Sequence, residues 1–302
     1  MDTVLADLPH AGRVAVVRLR SLGDCVLTTP ALEILKRARP DVRVAVVVEE
    51  RFRAVFEGNP DVDEILSAET GALRRAQRGL RPALCLDLHG GTRSAWLTGL
   101  SGARWRAGFA HFRHSYLYNL KIPRTQDILG VERKVHTAEH LASAMFYLGA
   151  PVCEVPRAKL VASGPHPAGS GAAVIHPVAA TPEKTWPAAN FLAVAEHLAA
   201  AGIEPVFIGA AEDDLAAFRG YRIIQGAPLE EIKRLLAGAS LFIGNDSGPA
   251  HMAAAFGLPV VTIFSASDPE IWGPWRTASE IVRAPASAAQ VIEALARLRV
   301  AA

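Results

Sequence analysis

Several polar turns in this chain carry side chains able to do chemistry, each standing where a β-rich apolar run gives way to a helical pattern. The first lies in RLRSLGDCVLTTPAL, residues 18–32, where one carboxylate, Asp24, stands beside Gly23. Either Asp24 caps the helix that follows, or Thr28 and Thr29 do so ahead of Pro30. If the turn faces an anion site, the same carboxylate can take a proton from an incoming hydroxyl. The second turn is Asn245-Asp246-Ser247-Gly248, followed by Pro249 and by His251 in the first helical turn. Free N–H groups at a helix start, with the helix dipole, attract anions, and His251 can face the same anion. The other reading is an ordinary capped helix after a buried strand.

The third turn, residues 176–191, offers the hydroxyls of Thr181 and Thr185 and the mobile cation of Lys184. A lysine near a helix start neutralises phosphate oxygens as a point charge. Equally, it is a solvated lysine beside a packed Trp186. The fourth, DLHGGTRSAWL at 87–97, ends a strand in His89 and starts a helix near Arg93. From Leu88 to Gln126 the chain has no Asp or Glu. Arg93, Arg104, Arg106, Arg113, Lys121 and Arg124 lie in that span, interleaved with aromatic residues. Such a stretch suits an acidic acceptor or an anionic membrane surface, or else is a solvated basic face over an aromatic core.

These turns must be positioned by alternating strands and helices. The pattern predicts strands at 13–19, 42–48 and 83–88, with helices at 29–38, 71–79 and 137–148. It restarts with strands at 172–176, 205–208, 241–244 and 260–264 and helices at 187–201, 229–237, 250–256 and 287–300. Repeated βα units imply parallel sheets covered by helices. The Gly-, Pro- and Ser-rich segment 163–171 reads as a linker, giving domains at 1–162 and 172–302. In open parallel sheets, ligands bind beyond the carboxyl ends of the strands, so the four turns are where function is expected.

Half of the 302 residues are hydrophobic and 21% are charged, which is globular composition. A net charge of +2 argues against a nucleic-acid binder. Three scattered cysteines without a C-x-x-C argue against a metal or disulfide framework. The N-terminus lacks the layout of a signal peptide, and no apolar run is long enough to span a bilayer. The expectation is a soluble cytoplasmic protein.

Taken in series, RLRSLGDCVLTTPAL, DLHGG, PEKTWP, IGNDSGPAHMAAAFGLPVVTIF and DPEIWGPW resemble the bacterial heptosyltransferases of lipopolysaccharide core synthesis, glycosyltransferase family 9. The resemblance spans most of the chain. It implies an α/β protein of the GT-B fold, with two Rossmann-like domains whose parallel sheets face across a cleft. It implies inverting, metal-independent transfer of a heptose or related sugar from a nucleotide-sugar such as ADP-heptose. The donor would sit in the C-terminal domain and a lipid-linked, phosphorylated core acceptor in the N-terminal one. No cofactor is implied, because the nucleotide-sugar is a substrate. The family's base falls on Asp24 and its phosphate-binding lysine on Lys184. Its donor-site acid and histidine fall on Asp246 and His251, with Ser247 and Gly248 between them; Asn245 and Thr181 complete the expected donor set. The expected acceptor set is Gly23, His89, Arg93, Arg104, Arg106 and Arg113, with peripheral contact at the inner face of the cytoplasmic membrane.

There are departures from the family pattern. Val178, Ala179 and Ala180 follow Pro177 where the family often has Gly-Ala-Ser, and Ser265-Ala266-Ser267 stands where it commonly has Gly-Pro. Three other readings stay open: a same-fold glycosyltransferase using another nucleotide-sugar for a surface glycan, an epimerase acting on a nucleotide-sugar, and a nucleotide-binding homologue impaired in catalysis.

Overall fold

The computed structural model describes residues 3–69, 81–164, 171–179 and 185–298. The chain divides into two units, Met1–Val161 and Ala162–Ala302. In the first, the order is β1 (Arg13–Val17), α1 (Leu22–Ala38), β2 (Arg43–Val48), β3 (Glu64–Ser67), β4 (Leu84–Asp87), α2 (Thr92–Gly99), β5 (Trp105–Phe109), β6 (Leu120–Ile122), α3 (Thr125–Leu129) and α4 (Thr137–Leu148). These strands form a six-stranded parallel sheet, β3-β2-β1-β4-β5-β6. The central strands are valine-rich because both of their faces are covered: Val14, Val16, Val44 and Val46 are fully buried.

Helix α1 starts seven residues before the predicted 29–38, and Pro30 lies inside it. Proline removes an N–H and so orphans the carbonyl one turn back. Here that carbonyl belongs to Val26, and it accepts the Thr29 hydroxyl at 2.8 Å. The Thr28 hydroxyl likewise donates to the Asp24 carbonyl at 2.8 Å. The Thr-Thr-Pro run therefore continues a helix rather than opening one. Helix α4 ends as expected at Gly149, whose φ of +117° is left-handed. A Cβ there would lie 2.3 Å from Thr3, so only glycine fits. The predicted helix at 71–79 lies outside the described residues.

In the second unit the order is β7 (Ala173–His176), α5 (Ala188–Ala200), β8 (Pro205–Gly209), β9 (Arg222–Gln225), α6 (Leu229–Ala237), β10 (Leu241–Asn245), α7 (Gly248–Ala255), β11 (Val260–Phe264), α8 (Pro269–Trp272), β12 (Ser279–Arg283) and α9 (Ala288–Arg297). Its parallel sheet runs β12-β11-β10-β7-β8-β9. Both sheets thus share one winding, in which the third, second, first, fourth, fifth and sixth strands of each unit are neighbours. That winding reverses direction between β1 and β4 in one sheet and between β7 and β10 in the other. Such a switch point leaves a crevice at the carboxyl ends of the two strands. The core of the second unit gathers Trp186, Phe191, Phe207, Phe218 and Ile243, with Phe207 and Phe218 stacked 4.2 Å apart. Among the described residues, no helix is long and apolar enough to cross a membrane.

Candidate active site

At the first switch point, Asp24 is the third residue of α1, so it points back toward the chain entering the helix. Its Oδ2 accepts from the Ser21 backbone N–H at 3.3 Å and the Ser21 hydroxyl at 3.0 Å. Its Oδ1 lies 3.5 Å from a guanidinium nitrogen of Arg18, and the carboxylate keeps 22% of its side-chain exposure. The capping role is therefore real, and the group remains open to solvent. Gly23 is buried in the same helical turn.

The loop after β4 is organised by Asp87, a residue that pattern reading passes over. Its fully buried carboxylate accepts from the N–H groups of His89 and Gly90 at 2.8 and 2.9 Å and from the Tyr118 hydroxyl at 2.7 Å. Gly90 has a φ of +79°, and a Cβ there would enter the Phe112 ring at 2.6 Å. DLHGG is thus a loop wrapped around one carboxylate, and it aims His89. The Nδ1–H of His89 donates to the Arg20 carbonyl at 3.1 Å, the only polarity a carbonyl permits. Burial, then the Arg18 charge, hold this imidazole below its ordinary value, so its Nε2 is an acceptor at neutral pH. His140 joins the same neighbourhood, stacked on Phe109 at 4.1 Å with its Nδ1 2.6 Å from the Thr125 hydroxyl. Burial, with His111 and Arg18 nearby, pulls it down to about 4.

The expected basic acceptor set is not brought together. Arg113 is exposed in the loop after β5, at the same edge of the sheet as Asp24. Arg93 is tied to the Ala68 carbonyl and lies 3.9 Å from Glu49. Arg106 pairs with Cys85, two residues short of the end of β4, and its guanidinium turns back to the Ala103 carbonyl at 3.1 Å. Arg104 stacks over Trp105 before β5 begins. The last two lie toward the opposite edge of the sheet from Asp24, because charge along a sequence says nothing about which end of a strand it occupies.

At the second switch point, Asn245 ends β10 and is buried. Its Oδ1 accepts from the Trp186 backbone N–H at 3.0 Å and its amide donates to the Pro177 carbonyl at 3.0 Å. Both ends of this side chain therefore shape the loop after β7. Val178 of that loop packs on the core of the unit. Ser247 precedes α7, and its Oγ lies 3.0 Å from Nδ1 of His176, the last residue of β7. Burial pulls His176 down to about 4, with Asp213 acting the other way, so the imidazole is neutral. Asp246 is partly buried, its N–H bonded to the Ile263 carbonyl. His251 is buried in the first turn of α7, whose opening carries Gly248 and Pro249 and no acidic side chain. Thr181 and Lys184 lie outside the described residues. Beside this turn, a cavity of about 390 Å³ is lined by Thr185, Trp186, Ile263, Ser265 and Ala286, among others. Among the described residues, no cluster of three or more His, Cys, Asp or Glu is arranged to hold a metal ion.

Residues 72–299 match the family model for glycosyltransferase family 9 (heptosyltransferase). The chain belongs to that family. This glycosyltransferase is 28% identical to lipopolysaccharide heptosyltransferase 3 of Escherichia coli over 298 residues, covering 85% of its own chain and 84% of that protein. Its fold is similar to that of a family 9 protein from Veillonella parvula DSM 2008, with a TM-score of 0.83 at 22% identity over 96% and 97% of the two chains. It is also similar to Escherichia coli heptosyltransferase WaaC with ADP, with a TM-score of 0.78 at 22% identity over 95% and 99%. The architecture is therefore α/β and GT-B-like. Arg18, Asp87, His140 and His176 are the site-edge residues that sequence reading missed. Their only signal was position, at or just after the end of a strand or in a helix beside it.

Proposed function

We propose that this glycosyltransferase moves a heptosyl group from ADP-heptose to a phosphorylated lipopolysaccharide core acceptor, with inversion and without a metal. The observation that carries the reading is the placement of Asp24: a solvent-reachable carboxylate, hydrogen-bonded at Oδ2 and with Oδ1 3.5 Å from Arg18, at the switch point of a parallel sheet. As the acceptor hydroxyl attacks the anomeric carbon, its proton passes to Asp24. The new C–O bond forms as the bond to the diphosphate oxygen breaks, and ADP leaves with that electron pair. Attack opposite the leaving group inverts the centre. Lys184, Thr181 and the N–H groups opening α7 are assigned to the diphosphate, where fixed positive ends stabilise the charge that develops. Ser247 and His251 border that site, and Asp246 is assigned to the donor sugar or ribose hydroxyls. On the acceptor side, Gly23 admits close approach, while His89 and Arg113 contact the acceptor. Peripheral membrane contact is assigned to Trp96, Leu100 and Tyr116, large apolar side chains that are 47–69% exposed.

The test is release of ADP from ADP-heptose with core-truncated lipopolysaccharides as acceptors, in the presence of EDTA. Transfer by the wild type and loss of it in Asp24→Asn, with ADP binding retained by calorimetry, is the expected result. Unchanged turnover in Asp24→Asn removes the base. Val178 in the phosphate loop favours one second reading, a different nucleotide-sugar, and selective binding of UDP, GDP or CDP over ADP would establish it.

A further inference from the structure

Arg18 is the first residue past β1, and its N–H still bonds the Val47 carbonyl at 3.0 Å. The residue is only 5% exposed. Its guanidinium faces Asp24 Oδ1 at 3.5 Å, and its Nε has no hydrogen-bond partner among the described residues. Val14–Val17 and Leu19 around it are apolar and buried. Among the described residues its nearest counter-charge is Asp24, at a distance too long for a close ion pair, and a buried cation so paired contributes little net stability because its desolvation offsets the attraction. What Arg18 does instead is complete the setting of Asp24. Ser21 fixes Oδ2 from one side, and Arg18 lies against Oδ1 from the other. From this geometry we infer that Arg18 is a positioning residue that holds the Asp24 carboxylate in the orientation from which it takes the acceptor proton. The inference rests on the reading of Asp24 as the base. Without Arg18, the carboxylate rotates about its bond to Ser21, and misplacement on the order of 1 Å can cost about 100-fold in rate.

The test is a double-mutant cycle with ADP-heptose and core-truncated lipopolysaccharide. Arg18→Met is expected to lower kcat by roughly 10- to 100-fold, to leave the KM for ADP-heptose within about twofold, and to melt within a few degrees of the wild type, because Asp24 keeps Ser21 and solvent as partners. Arg18→Lys is expected to recover part of the loss. In an Asp24→Asn background, Arg18→Met should not lower further whatever residual transfer single-turnover assays at high enzyme detect, because the group it orients is gone. If Arg18→Met yields no folded protein, Arg18→Gln takes its place in the cycle. Wild-type kcat in the folded variant, or losses that multiply in the double mutant, overturns the role of Arg18 while leaving Asp24 as the base. An active Asp24→Asn overturns both.

Discussion

Acidification should destabilise the second unit through one imidazole. His176 is pulled from 6.5 to about 4 by burial at the end of β7, against the opposing pull of Asp213. In the unfolded chain it titrates near 6.5. Between those values the unfolded state binds the proton and the folded state does not. Stability is therefore complete above about pH 7 and is lost as pH falls from 6.5 toward 4. At about 1.36 kcal/mol per pH unit, lowering the pH from 7.5 to 5.0 removes at most about 2 kcal/mol through this group. Replacing His176 with Gln keeps a side chain able to bond the Ser247 hydroxyl and removes the titration. The assay is urea unfolding at the two pH values, followed by tryptophan fluorescence, in which the buried Trp186 reports the second unit. The wild type should lose about 2 kcal/mol more than His176→Gln between pH 7.5 and 5.0. Equal acid losses in the two proteins would refute the reasoning. His140, lowered for the same main reason in the other unit, supplies an independent control: His140→Gln should leave the His176 contribution untouched.

Asp24→Asn and Asp24→Ala should both abolish transfer yet differ in stability. Asn retains an oxygen for the Ser21 N–H, whereas Ala loses the cap and about 1 kcal/mol, a difference that thermal melts resolve. Asp87→Ala leaves two N–H groups and the Tyr118 hydroxyl without their acceptor, and should cost about 3 kcal/mol or more in urea unfolding. Gly90→Ala should weaken the same loop by about 1–3 kcal/mol and raise the acceptor KM, read by melting and steady-state kinetics. Changing Trp96 and Tyr116 together to Ser should reduce co-sedimentation with vesicles of anionic phospholipid severalfold without changing turnover of a soluble acceptor fragment. The exposed aromatic pair sits where α2 meets the turn at residues 115–117, in the stretch without acidic residues.

Most of the central strands were legible because they are short apolar runs, valine-rich in β1, β2 and β11 and mixed in β4 and β10, as parallel strands covered on both faces are. The edge strands β3, β6, β9 and β12 were not, being three to five residues long and partly exposed, and neither was the interior strand β5, whose WRAGF carries an arginine and a glycine in place of an apolar run. The start of α1 was misjudged because Pro30 looked like a first-turn residue. Only the Thr29 hydroxyl on the Val26 carbonyl makes it an interior one, and no propensity encodes that bond. The site divides in the same way. Asp24, Ser247 and His89 stand at strand–helix turns, which sequence marks. Arg18 escaped notice as a strand-end residue, and the meaning of Asp87 and His176 depends on partners 31 and 71 residues away. Arg104 and Arg106, chosen for charge, lie toward the other edge of their sheet. The two opening readings of Asp24, cap and proton acceptor, are compatible for a physical reason. A carboxylate in the third position of a helix must turn back toward the N-cap. At a sheet switch point the N-cap borders the crevice where ligands collect. Capping is then what aims the carboxylate, and the structural role and the proposed chemical one are the same geometry.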